Sequence, residues 1–191
     1  MCALLFTGVS FNTTPQDRQN YAVAAIVGII AGIVSAIVKF GWEVPLPPRS
    51  PERNATNPPQ AFLEFFGFSD TTTHLSYTFN GNEGLPWVSF LIHFGFSIFF
   101  AVMYCVIAER WPKIKLWQGV AFGVFLWVAF HVVLMPAMGI VPAPWNQPWE
   151  EHFSEIPGHA IWMWVIEIIR RDLRNRITGE PDPEVELGAR R

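Results

Sequence analysis

Ionisable side chains that could carry chemistry stand at isolated points within the long apolar stretches of this 191-residue sequence. Lys39 and Glu43 are four residues apart at the end of the first stretch, a spacing that brings two side chains to one face of an α-helix. His93, His131 and His159 each stand within a later apolar stretch. An imidazole changes charge near neutral pH and also ligates metals, so these five residues are candidates for proton uptake or metal binding.

The sequence motifs favour proton uptake over metal binding and over catalysis. A histidine metal or haem site needs two or three imidazoles at coordination distance, and the sequence has no HEXXH motif, no clustered His-x-x-x-His pair and no histidine-rich tract. Cys2 and Cys105 have no metal-type spacing and form no disulfide framework. Walker loops, dinucleotide-binding fingerprints, nucleophile elbows and CxxC pairs are absent from the sequence. We therefore expect no catalytic residue, no metal, no cofactor and no enzymatic activity.

The stretches that contain these residues have the composition of a membrane protein. Hydrophobic residues make up 51 % of the chain and charged residues only 15 %, with nine tryptophans and seventeen phenylalanines. A bilayer core about 30 Å thick requires roughly twenty apolar residues in an α-helix. Segments at about 20–43, 86–109 and 116–141 meet this requirement. The net charge of −3 offers no basic surface for nucleic acid, so that class of partner is excluded.

A fourth segment, at about 156–171, is shorter and contains Glu167. Arg170 and Arg171 follow at helical distance, so they can reach this carboxylate while they extend to the lipid headgroups. A helix lying in the membrane interface is the rival interpretation. Apolar side chains surround the whole helix axis over 161–166 and leave no polar face for water, so we predict a fourth span.

The distribution of lysine and arginine predicts the orientation. Ten of the thirteen basic residues lie before the first span, between the second and third spans, or after the fourth. This side is cytoplasmic by the positive-inside rule, which places both termini in the cytoplasm. The predicted fold is an all-α integral membrane protein with one domain over 1–191. It is a four-helix transmembrane bundle with a long Pro-rich periplasmic loop, a short interfacial helix near 61–68, and a solvated cytoplasmic tail over 177–191.

Three strings in the sequence carry a family resemblance: KFGWEVPLPPRSP at Lys39–Pro51, AERWPKIKLWQG at Ala108–Gly119 and IEIIRRDLRNRITGEPDPE at Ile166–Glu184. With these strings the chain resembles the YagU family of bacterial inner-membrane proteins along nearly its whole length. The resemblance implies a multi-pass protein of the bacterial inner membrane. It implies no established reaction and no catalytic residue, so no functional residue is carried over from the family.

Small residues on the first helix predict a helix contact. Gly28 and Gly32 share one narrow face with Ser35, Lys39 and Glu43 at 100° per residue. Small residues at four-residue spacing let helix backbones approach closely, so Gly28 and Gly32 are predicted to pack against another helix. We interpret this face first as a packing seam with an ion pair at its outer end. A charged gate at the mouth of a polar cavity is the alternative.

The predicted topology brings the three intramembrane histidines to one depth near the periplasm, together with Lys39 and Glu43. Eight carboxylates and three basic residues fall on this side, so protons and cations would be concentrated there. Each histidine taken alone is explained as a core residue. Three on three helices at one depth favour a titrating layer, because ionisable residues inside a membrane are functional candidates by default.

Two functions remain open from the sequence. The first is a non-enzymatic inner-membrane protein that contributes to an envelope or acid-stress response through this layer of histidines and carboxylates. The second is a small channel or carrier subunit for protons or small solutes. Four short helices enclose little volume, so a pore would require a homo-oligomer, and Gly28 and Gly32 offer an interface for it. The lipid bilayer is the other predicted partner.

Overall fold

The computed structural model describes residues 13–14, 16–43, 45–46 and 55–182. The α-helices are α1 (Tyr21–Glu43), α2 (Pro58–Phe65), α3 (Asp70–Thr73), α4 (Trp87–Arg110), α5 (Val120–Ala137) and α6 (Trp149–Thr178). The strands β1 (Ser76–Phe79) and β2 (Asn82–Pro86) form an antiparallel hairpin. Short 3₁₀ turns lie at Gln16–Arg18, Pro112–Lys115 and Pro144–Asn146.

The four long helices pack side by side. α1 packs along both α4 and α6, and α6 also packs along α5. Within the described residues, α1, α4 and α5 are long and apolar enough to cross a membrane, whereas the 30-residue α6 is not among these candidates. Isoleucines at 26, 29, 33 and 37 of α1 point away from the core, which suits a surface covered by lipid.

Two ends of this helix assembly are distinguished by their charges. The end that contains Arg18, Arg110 and Arg174 is called the basic end here, and the opposite end, with His93 and His159, the histidine end. α1 and α5 run from the basic end to the histidine end, and α4 and α6 run back. The chain therefore returns to the basic end after α6.

The predicted glycine face of α1 lies directly against α4. A Cβ atom added at Gly28 would lie 2.6 Å from Cα of Val102, and one added at Gly32 would lie 2.6 Å from Cα of Ile98. No side chain fits in that space, because the obstacle is backbone. Ser97 of α4 uses the close approach to donate a hydrogen bond of 2.7 Å to the carbonyl oxygen of Gly32. The seam fixes the rotation of α1 and thereby the direction in which Lys39 points.

The helix bounds agree with the predicted spans for α1 and α4, within one residue at each end. α5 begins later than the predicted residue 116, because Trp117 and Gln118 adopt left-handed backbone conformations with φ of 53° and 55°. α6 is longer than the predicted 156–171 at both ends.

α5 has an irregular backbone around His131. The segment Val128–Leu134 is π-helical, and Pro136 follows it closely. A proline has no N–H to donate and its ring disfavours a regular α-helix over the preceding turn. π-helical segments are rare and concentrate at functional sites. The irregular stretch surrounds the one histidine of α5.

The region between α1 and α4 contains the short helix predicted near 61–68, together with the short helix α3 and the β1–β2 hairpin, which were not predicted. α2 begins at a capping box in which Asn57 and Gln60 exchange hydrogen bonds between side chain and backbone. The β1–β2 hairpin corrects the all-α prediction. It turns at Asn80 and Gly81, which have φ of 49° and 79° and form the Asn-Gly pair typical of tight hairpin turns.

The described part of the predicted solvated tail, 177–182, is mostly exposed, but the prediction is wrong for Asp182. α6 continues to Thr178, and Gly179 then turns the chain with a φ of 69°. Asp182 folds back against the basic end and is only 7 % exposed. The remaining residues of the predicted tail, 183–191, lie outside the described residues.

Candidate functional site

The five ionisable residues predicted to share one depth line a single cavity at the histidine end. Its volume is about 750 Å³. α1 contributes Lys39 and Glu43, α4 contributes His93, α5 contributes His131, and α6 contributes Glu155 and His159. The seam between α1 and α4, the π-helical segment of α5 and the long α6 therefore meet at one place.

Glu155, which the sequence did not single out as a site residue, lies at the centre of this group. Its Oε2 atom is 3.5 Å from Nζ of Lys39, 3.5 Å from Nε2 of His131 and 3.6 Å from Nδ1 of His159. Lys39 also donates a hydrogen bond of 2.5 Å to Glu43. The rings of His131 and His159 meet edge to face, with centroids 4.9 Å apart. One carboxylate is thus shared by groups from three helices.

His93 lines the same cavity in a different way. Its Nε2 atom is 3.1 Å from the carbonyl oxygen of Ala36, and its ring stacks on Phe40 with centroids 3.8 Å apart. The described contacts of His93 are therefore to backbone and to an aromatic ring, whereas those of His131 and His159 include a carboxylate. His93 belongs to the wall of the cavity and not to the group around Glu155.

The rest of the cavity is predominantly apolar. Phe96 and Phe130 pack edge to face with centroids 4.8 Å apart, and Trp162 lies beside Phe96. The indole N–H of Trp162 donates to Oγ of Ser97 at 2.7 Å and the residue is only 2 % exposed, so the partly exposed Phe96 and Phe130 supply more of the accessible aromatic wall. Pro58, Pro59 and Phe62 of α2 close one side, and Asn57 ties α2 to α4 through a 2.7 Å hydrogen bond to Ser89.

Three of the site residues have the spacing of metal ligands. One ligand atom each of His131, Glu155 and His159 lie within 4.8 Å of one another. Lys39 opposes a metal ion at this point, because its ammonium faces the same carboxylate oxygen as the two imidazoles. A dication held there would lie close to a poorly hydrated positive charge. The expected absence of a metal therefore stays a prediction.

A second group of charges is buried at the basic end, and the pairing of Arg170 with Glu167 is the one contact within it that was predicted from the sequence. We call it the basic-end network; it consists of Glu109, Lys115, Glu167, Arg170, Arg174 and Asp182. Arg174 donates to Glu109 at 2.7 Å and 3.2 Å and to the carbonyl oxygen of Arg18 at 2.9 Å. Glu109 also accepts the N–H of Asn20 at 2.9 Å. The start of α1 is therefore tied to α4 and α6.

Arg170 joins the other half of the network. It donates to Glu167 at 2.6 Å and 2.9 Å, and Glu167 also accepts the hydroxyl of Tyr104 at 2.9 Å. Arg170 was predicted to pair with Glu167 and to extend toward the headgroups. The pairing is present, but the extension is wrong, because Arg170 is 1 % exposed and points into the protein.

Asp182 completes the network from the returning chain. It accepts hydrogen bonds from Arg170 at 2.5 Å and 3.1 Å and from Lys115 at 2.6 Å. Burial alone would raise the pKa of Asp182, but the hydrogen bonds and charges of Arg170 and Lys115 outweigh burial and hold this pKa below its ordinary value. Burial and the charge of Arg170 lower the pKa of Lys115 despite its bond to Asp182.

Several long apolar helices with ionisable residues gathered at their ends define a membrane protein with multiple candidate spans. The chain belongs to the family described as "Protein of unknown function (DUF1440)", which matches residues 33–168. It is 48 % identical over 204 residues to the Inner membrane protein YagU of Escherichia coli (strain K12), with 95 % of this chain and 98 % of that protein covered. The resemblance to the YagU family is thereby confirmed. No solved structure matches the chain.

Proposed function

We propose that this protein is a non-enzymatic inner-membrane protein with four spans and cytoplasmic termini that takes up protons from the periplasm. The proton-accepting site is the group of histidines and carboxylates around the cavity at the histidine end, and its titration contributes to an acid-stress response. The observation that carries this proposal is the convergence of Lys39, His131 and His159 on one oxygen of Glu155.

The charges around Glu155 support proton uptake. With neutral imidazoles, the described lining residues include the two carboxylates Glu43 and Glu155 and one ammonium, Lys39. A proton on either imidazole is attracted by Glu155 and repelled by Lys39, and a second proton is also repelled by the first. The groups involved come from α1, α4, α5 and α6, so added positive charge acts between these helices. Acidification is therefore expected to loosen the packing at the histidine end.

Replacement of His131 and His159 together by glutamine tests this proposal. Glutamine keeps a polar side chain and removes the titration. The parent is expected to lose thermal stability in detergent as the pH falls from 7.5 to 5, and the double variant is expected to lose much less. Cells that carry the double variant are expected to survive acid less well than cells that carry the parent. His152→Gln is the matched control, because His152 lies on the same helix and faces the carbonyl oxygen of Pro144. Equal pH dependence in parent and double variant would contradict proton uptake at this site.

The proposed orientation is tested separately. Alkaline phosphatase fused after Ile177 is expected to be inactive, because the enzyme folds only in the periplasm and the positive-inside rule places this end in the cytoplasm. Strong activity of this fusion would reverse the topology and would place the histidine end on the cytoplasmic side.

A channel or carrier subunit is the second candidate function. The observation that favours it is the cavity itself. Its walls are mostly apolar with a few polar groups, and α2 covers one side, as in a small-molecule site. Proton or solute flux into liposomes containing the purified protein distinguishes the two functions. Flux that appears only in preparations containing an oligomer would favour the channel. Gly28 and Gly32 do not supply the interface of such an oligomer, because their face of α1 is occupied by α4 of the same chain.

A further inference from the structure

We propose that the cavity at the histidine end binds a hydrophobic organic monocation. This inference rests on the second candidate function, a channel or carrier, and names the chemical class of its ligand. It shares with the proposed proton uptake only the dependence on Glu155. Cavities of about 300–1,000 Å³ with apolar walls and a few convergent polar groups are typical of small-molecule sites, and this cavity of about 750 Å³ falls in that range.

The sign of the ligand charge follows from the charges near the cavity. Among the described residues that line it, carboxylates exceed ammonium groups by one while the imidazoles are neutral. Carboxylates also outnumber basic residues when Arg49 and Arg53, between α1 and α2, are counted. The sequence on this side of the predicted topology carries eight carboxylates and three basic residues in all. An anion would enter against this charge, whereas a monocation would balance it.

The walls suit a cation with an apolar body. Phe96, Phe130 and Trp162 surround the inner part of the cavity, and the face of an aromatic ring attracts a cation within about 6 Å of its centroid. The N–H of Trp162 is already bonded to Ser97, so the inner wall offers aromatic surface without a competing donor. His159 links the two sets of side chains, because it lies 3.6 Å from Glu155 and meets the ring of Trp162 edge to face with centroids 5.9 Å apart.

An organic cation also avoids the obstacle that disfavours a metal ion. A metal ion needs direct coordination by Glu155 and the two imidazoles, at the point that Lys39 faces. A delocalised organic charge needs no inner coordination shell, so it can stay among the aromatic rings at some distance from Lys39. At that distance the attraction by Glu43 and Glu155 together exceeds the repulsion by Lys39, because two carboxylates oppose one ammonium.

Two ions of similar size and opposite charge test the inference. Tetraphenylphosphonium and tetraphenylborate are titrated separately onto the full chain in nanodiscs of zwitterionic lipid, and binding to empty nanodiscs is subtracted. We expect saturable binding of the phosphonium ion at least about tenfold tighter than that of the borate ion, which corresponds to about 1.4 kcal/mol. Equal binding of the two ions would overturn the inference and would indicate an apolar pocket of the kind a lipid chain fills.

Two substitutions in opposite directions separate a charge effect from damage to the fold. Glu155→Gln is expected to weaken phosphonium binding about tenfold, and Lys39→Met to tighten it, because each removes one charge of known sign. Glu150→Gln, an exposed position on the same helix, is the control and is expected to change nothing. Weaker binding in both the Glu155 and the Lys39 variants would overturn the inference.

Proton uptake can fail without the cation site failing. If the layer takes up protons, phosphonium affinity falls between pH 7.5 and pH 5.5, because the probe has a permanent charge and protons compete for the same negative site. A preference for the phosphonium ion that does not change with pH would support the cation site and contradict proton uptake.

Discussion

The two ends of the helix assembly both contain buried charges, but they hold them differently. At the basic end, three carboxylates face Arg170, Arg174 and Lys115 in pairs with N–O distances of 2.5–2.7 Å. At the histidine end, Lys39 and Glu43 form one pair of similar length, whereas Glu155 faces three nitrogen atoms at 3.5–3.6 Å beside a cavity. Carboxylates and cations are equal in number in the basic-end network. Short pairs between carboxylates and permanently charged groups fix a structure, whereas two imidazoles that share one carboxylate can change their charge while the carboxylate remains their neighbour.

Side-chain chemistry strengthens this contrast. Arginine stays protonated at all physiological pH values and binds carboxylates through a rigid fork, so the basic-end network keeps its charge. An unperturbed histidine changes charge near neutrality, so the proposed proton uptake would change the charge of the histidine end. We therefore expect the basic end to determine stability and the histidine end to determine the response to pH.

The largest loss of stability is expected when the basic-end network loses an arginine. Arg174→Ala leaves Glu109 buried without its guanidinium partner, and breaking a buried pair in this way costs about 3–5 kcal/mol. The midpoint of unfolding in a mild detergent measures this loss. Arg176→Ala is the control on the same helix, because the pair of Arg176 and Asp172 is exposed and contributes at most about 0.5 kcal/mol. Similar midpoints for the two variants would show that the basic-end network does not determine stability.

A smaller loss is expected at the seam between the two ends. Gly28→Leu forces α1 away from α4, since even a Cβ atom would overlap the backbone of Val102. Overpacking of this kind costs about 3 kcal/mol. Gly95→Leu is the matched control on α4, because an added Cβ there meets no described atom within 4 Å. If both variants kept the parental stability, the α1–α4 contact would not hold the two ends together.

The smallest loss of stability is expected for a substitution of Asp182, and its dependence on pH distinguishes the basic end from the histidine end. Asp182→Asn weakens charged hydrogen bonds to Arg170 and Lys115 and is expected to cost about 2 kcal/mol at neutral pH. The pKa of Asp182 is lowered in the folded protein, so its contribution is present above the ordinary value of about 3.9 and is lost as the pH falls through the lower folded value.

The difference in stability between this variant and the parent should therefore be constant from pH 7 to about pH 5. Glu180→Gln is the control, because the pair of Glu180 and Arg18 is exposed and 4.0 Å long. A difference that shrank already between pH 7 and pH 5 would contradict the lowered pKa of Asp182.

Patterns within one helix could be predicted from the sequence. The bounds of α1 and α4 follow from the apolar runs, and the face that joins Gly28 to Lys39 follows from helical periodicity. The common depth of His93, His131 and His159 follows from the spans, and the structure brings these residues to one cavity. The first two inferences depend on helix geometry alone, and the third also depends on the order and direction of the predicted spans.

Contacts between distant segments could not be predicted in this way. Glu155 is one of several carboxylates in its region, and its central place depends on how α6 packs against α1 and α5. Asp182 belongs to a polar, proline-containing stretch typical of a solvated tail, and only the turn at Gly179 brings it back to Arg170. The Asn80–Gly81 turn did leave a local signal in the sequence, and the hairpin could have been predicted from it.

The π-helical segment of α5 allows this helix to lose one residue without a change in the distance between its ends. A π-helical segment holds one residue more than regular α-helix would need to join the same two ends. Deletion of a single residue between Val128 and Leu134 could therefore be absorbed by a return to α-helix while the flanking turns keep their places. Each residue corresponds to about 100° of rotation in an α-helix, so side chains within the segment would face new directions. The extra residue in α5 thus determines the direction in which His131 points from the helix axis, whatever the protonation state of its imidazole.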